Sequence, residues 1–183
     1  MLGIKLSKLI LLSILYILIL DIVVVVHEFL HAVASYIVGG NVVKIYLVDH
    51  YIVLTEGLTV SSNINNMYSL AIVLIFPSIV ITTIMYLLLN KYPDISLFIL
   101  LSELNLLLPK VGDIYNALVI SLYHHMLFMF LVSFNIAMFI LLGIALSTVK
   151  LLEKYPDRFM AIGISSAIIL LLLLVPPIVI IIE

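Results

Sequence analysis

His27-Glu28-Phe29-Leu30-His31 places two imidazoles four residues apart with a carboxylate between them. On a helix both rings leave one face and can share a single Zn²⁺, while Glu28 can reach a metal-activated water as general base. The motif sits inside an unbroken apolar run, where ionisable side chains are expensive and mark function. The chain has no cysteine, so any metal must be held by His and carboxylate, and neither a disulfide framework nor a thiol nucleophile is open to it.

The elements that must position these residues belong to a bilayer. With 66% hydrophobic and 10% charged residues, a chain of 183 residues cannot hide its apolar surface in a soluble core. A net charge of −2 and the lack of a basic cluster argue against nucleic acid as a partner. Lys5 and Lys8 lead into an apolar segment too long for a signal h-region, so the first helix is expected to be retained.

Hydropathy predicts an all-α polytopic membrane protein with about five transmembrane helices, over residues 6–38, 67–89, 95–122, 126–149 and 159–182, forming a single domain over 1–183. Gly39-Gly40 should stop the first helix, and Pro109 should kink the third. Residues 42–60 read differently. β-Branched and aromatic residues cluster there around Asp49-His50 and before Gly57, predicting a small β-hairpin or sheet, with a third strand in reach, between the first and second helices. A plain loop fits the composition equally.

Leu88-Leu89-Asn90-Lys91-Tyr92-Pro93-Asp94 returns as Leu151-Leu152-Glu153-Lys154-Tyr155-Pro156-Asp157. Lys suits a helix C-terminus, Tyr the headgroup level, Pro a stop and Asp the cap of the next helix, so the same turn is used twice. Five spans require both turns on one face of the membrane.

Asp113 is the best candidate for a third metal ligand. If the first and third helices run in the same direction, it lies about as deep as His27 at ~1.5 Å per residue. It would also serve as an N-cap where a Pro-broken helix resumes. Asp21, seven residues before Glu28, and Glu103 read as hydrogen-bonded packing residues; His124-His125 reads as interfacial and His50 as a turn residue.

HEFLH in an early transmembrane helix, followed by Asn105-Leu106-Leu107-Leu108-Pro109-Lys110-Val111-Gly112-Asp113, resembles the site-2 protease family of intramembrane zinc metalloproteases. The resemblance covers about residues 6–123. It implies His27, His31 and Asp113 as ligands of one Zn²⁺ per chain, Glu28 as catalytic base, Asn105 as a substrate-orienting residue, and a transmembrane or membrane-associated protein as substrate. Pro109 falls one place late against the family pattern, and Gly112 precedes the Asp instead of following it. The β-rich insert resembles the family's membrane-associated sheet, whose edge can take an extended substrate.

Two other readings compete: a membrane zincin whose third ligand comes from Glu153–Asp157, and a non-catalytic membrane protein that binds metal for transport or structure. Pro156 breaks the helix that the former needs, and a transporter would carry more ionisable residues along its path. Lys5, Lys8, Lys91, Lys150, Lys154 and Arg158 on one face place the N-terminus in the cytoplasm by the positive-inside rule, whereas the family resemblance implies the reverse.

Overall fold

A predominantly apolar run free of Pro and Gly forms α1 (Leu6–Ile37), whose 32 residues span about 48 Å, well beyond a hydrocarbon core of about 30 Å. The helix stops where Gly39 takes a left-handed φ of 82°. There the Gly40 N–H donates to the Ser35 carbonyl at 2.8 Å and the Gly39 N–H to that of Tyr36 at 3.1 Å, a Schellman closure that satisfies the orphan carbonyls.

The computed structural model describes residues 6–49, 54–64, 66–103, 112–172 and 178–182. After α1 come β1 (Asn41–Asp49), β2 (Leu54–Ser62), α2 (Met67–Leu88), α3 (Pro93–Glu103), α4 (Asp113–Tyr123), α5 (Leu127–Lys154), α6 (Pro156–Leu172) and β3 (Ile178–Ile182). The protein is mostly helical, with one small sheet. Among the described residues α1, α2 and α5 are long and apolar enough to cross a membrane, and the chain is a membrane protein.

Residues 42–60 do form the expected hairpin, β1 and β2, antiparallel from Asn41↔Ser62 to Asp49↔Leu54. The third strand comes from elsewhere. β3 pairs antiparallel with the other edge of β1, from Ile45↔Ile182 to Asp49↔Ile178, giving the order β2-β1-β3. This corrects the helix expected over 159–182, which ends at Leu172. Pro176-Pro177 removes two N–H donors, and the β-branched run Ile178–Ile182 favours extended backbone once the helix has stopped.

The helix expected over 95–122 is also corrected, because the described residues give two helices of 11 residues each, α3 and α4. Gly112 is extended and forms the N-cap of α4, so a helix cannot run unbroken through it. Pro109, with its expected kink, lies outside the described residues. Neither 11-residue helix crosses a bilayer alone, so the count of five spans rests on α3 and α4 acting together and on α6, which has 17 residues. α5 runs on to Lys154, past the expected end at 149.

The two repeated turns meet. Arg158 Nη1 donates to Asp94 Oδ2 at 3.0 Å, Tyr16 of α1 donates to the same oxygen at 3.1 Å, and Lys150 donates to Asn90. Lys8 near the start of α1 pairs with Asp157. One end of the bundle therefore gathers both turns and the start of α1, while β2 lies along the later part of α1, at Glu28 and Ser35.

Candidate metal centre

Three side chains from two separate helices converge beside the sheet. His27 Nε2 lies 3.1 Å from His31 Nε2, and Asp113 Oδ2 lies 3.1 Å from the former and 2.9 Å from the latter. α1 supplies the two rings one turn apart, and α4 supplies Asp113 as its first residue, where a carboxylate also complements the helix N-terminus. Among the described residues these three form a group able to hold a metal ion.

The other nitrogen of each ring is engaged away from the cluster. His31 Nδ1 lies 2.8 Å from the Val73 carbonyl oxygen of α2, which can only accept, so Nδ1 carries the proton and Nε2 offers its lone pair. His27 Nδ1 faces the Glu103 carboxylate at the end of α3, 3.6 Å away. Glu103 is buried, and the packing role expected for it understates its place: it is the acidic neighbour of a ring in the cluster.

Two ring nitrogens and a carboxylate oxygen about 3 Å apart form a triangle small enough for one cation to be bound by all three. A tetrahedron with metal–ligand bonds of about 2.0–2.1 Å has edges of about 3.3 Å, close to the observed triangle. The set of two His and one carboxylate, with a fourth position open, suits zinc in a catalytic rather than a structural role.

Glu28 points into the same region from α1 and is buried. β2 holds it there by its two-residue period, since Gly57, Thr59 and Ser61 all turn toward α1. A Cβ at Gly57 would sit 2.6 Å from the Glu28 carboxyl, so only glycine lets the strand come this close. Thr59 Oγ1 donates to Glu28 Oε2 at 2.7 Å and also lies 3.1 Å from the Glu28 carbonyl. Ser61 meets Ser35 two turns further along α1, at 2.7 Å between hydroxyls.

A cavity of about 310 Å³ opens beside the cluster, bounded by β2, the first half of α2, Glu28, His31 and Asp113. Leu58, Val60, Ile64, Leu70, Val73 and Leu74 make its walls largely apolar. β2 is an outer strand of the sheet, since its only strand partner among the described residues is β1.

Asn105 and His50 lie outside the described residues. Glu153–Asp157 is far from the cluster: Asp157 pairs with Lys8, nineteen residues or about 28 Å along α1 from His27. His124 and His125 lie exposed at the junction of α4 and α5, apart from any ligand group among the described residues. Thr59, Gly57 and the Val73 carbonyl carry no signal in the sequence, because each acts through a tertiary contact.

A model of the Peptidase M50B-like family matches residues 6–153, from the start of α1 through nearly all of α5. No curated protein and no solved structure matches the chain.

Proposed function

The chain belongs to the Peptidase M50B-like family, which bears out the resemblance to site-2 proteases, and from that premise we propose that it is an intramembrane zinc metalloprotease of membrane-embedded or membrane-proximal protein segments. One observation carries the reading: the three donor atoms of His27, His31 and Asp113 converge within about 3 Å, and buried Glu28, on the same helix as the two rings, lines the same cavity as His31 and Asp113.

His27, His31 and Asp113 would hold one Zn²⁺, which when bound acts as a Lewis acid and lowers the pKa of water to about 7. Glu28 takes a proton from the attacking water and returns it to the leaving amine. Thr59 holds that carboxylate in one orientation with a donated hydrogen bond. The Val73 carbonyl and the Glu103 carboxylate lie on the Nδ1 side of the two rings, so both Nε2 atoms would be left to hold the metal.

A transmembrane substrate keeps its backbone hydrogen-bonded in a helix, so a segment must unwind before a carbonyl is open to attack. The outward edge of β2 can take up the freed N–H and C=O groups by strand addition, with apolar side chains of the substrate entering the cavity beside Glu28. Asn105 keeps the substrate-orienting role that the family resemblance implies. The multi-pass arrangement in the cell membrane belongs to the same proposal.

Purified protein in detergent should contain about one zinc per chain and, returned to vesicles, should cleave a reporter with a single transmembrane helix. A strong chelator should remove the metal and the activity together. Stoichiometric zinc with no cleavage of any single-span reporter would favour a non-catalytic metal protein instead.

Thr59→Val keeps the shape of the side chain and removes the donor to Glu28. A hydrogen bond to a charged group is worth about 1.5–3 kcal/mol, so kcat should fall about 10- to 100-fold with KM little changed. Thr59→Ser should recover most of the rate. Equal kcat for Val and Thr at this position would remove Thr59 from the machinery.

A further inference from the structure

α2 carries a proline inside an otherwise regular helix, Pro77, and it is fully buried. A residue at that position would normally return its N–H to the carbonyl four residues earlier, which is that of Val73. Proline has no N–H, and its ring pushes against that same carbonyl. The Val73 carbonyl thus loses its helical donor, and it is this oxygen that accepts from His31 Nδ1 at 2.8 Å.

A buried carbonyl without a donor is costly in an apolar setting, and a freed backbone group in a membrane helix must find another partner. α2 packs against α1, which brings His31 within reach. The geometry points to Pro77 as a positioning residue: by denying Val73 its helical hydrogen bond, it creates the acceptor that fixes His31 in the tautomer and rotation presenting Nε2 to the metal.

A proline retained only for helix shape would be replaced at no cost to the metal. A proline that makes an acceptor leaves His31 with a competitor once an N–H is restored at position 77.

The inference rests on zinc being held by His27, His31 and Asp113, and its test separates the two. Zinc affinity of the full chain in detergent is measured by competition with a chelator for the unaltered protein, Pro77→Ala and Pro77→Gly. Both variants restore the N–H, and alanine is the better helix former. The zinc dissociation constant should rise about 10- to 100-fold in each, as for loss of an outer partner of a metal-bound His. The thermal midpoint of metal-free Pro77→Ala should stay the same or rise. In ¹⁵N-histidine-labelled protein, the hydrogen-bonded Nδ1–H signal of His31 should weaken or move upfield.

Unchanged zinc affinity and an unmoved His31 signal in folded variants would overturn the role of Pro77 while leaving the metal site standing. Failure of both variants to fold would assign Pro77 to the scaffold and overturn it as well. Absence of zinc binding by the unaltered protein would overturn the metal reading and this inference together.

Discussion

Glu28→Gln should cut cleavage by about 10²–10⁴-fold, the range by which a positioned general base accelerates proton transfer, while leaving bound zinc close to one per chain. The glutamine keeps the size of the side chain and can still accept from Thr59, so the contact between α1 and β2 should survive. It cannot take a proton. Rate measurements with a single-span reporter, paired with metal analysis on the same preparation, check both halves. Unchanged cleavage by the purified variant would remove Glu28 as the base.

Asp113→Ala should lose metal and activity together. The loss in zinc affinity should exceed the about 10–100-fold typical of an outer-shell partner, because a direct donor is removed. The alanine leaves His27 and His31 in place on α1, and α4 keeps its Gly112 cap, so the fold should persist. The contrast with Glu28→Gln is the informative part: one variant separates activity from zinc and the other does not. Full zinc occupancy in Asp113→Ala would move the third ligand to another residue.

Much of this centre is legible in the order of residues alone. HExxH dictates its own geometry on a helix, since a spacing of four puts both rings on one face. The depth count that singled out Asp113 assumed one continuous third helix, and the residue instead reaches the rings as the first of α4. The repeated turns likewise point to a common face, and Arg158 and Asp94 join them. The β1–β2 hairpin is visible as the one stretch where β-branched residues cluster with turn signals.

What escapes does so for identifiable reasons. Ile178–Ile182 has no polar alternation, and a short apolar run reads alike as the tail of a buried helix or as a strand; Pro176-Pro177 is the available warning. Gly57 and Thr59 become meaningful only when β2 comes to lie over Glu28, a contact between residues about thirty apart that no local period encodes. Glu103 looks like packing because its partner, His27, lies on another helix. Pro77 is in plain view, but a proline in a membrane helix is often tolerated, and what its missing N–H releases depends on the neighbouring helix.

The ladder between β1 and β3 has a consequence for the order in which the protein is born. Ile45 leaves the ribosome soon after the two histidines, whereas its partner Ile182 follows only after α2 through α6. Pairing between segments so far apart in the chain is slow, because the intervening loop must be closed before any contact is made. The sheet that carries β2 over Glu28 therefore passes through a stage with one edge of β1 bare, while the neighbouring helices are still being delivered to the bilayer. A nascent chain at that stage holds its histidines beside an unfinished sheet, with β2 already paired to β1 on one edge and the other edge waiting for Ile178–Ile182.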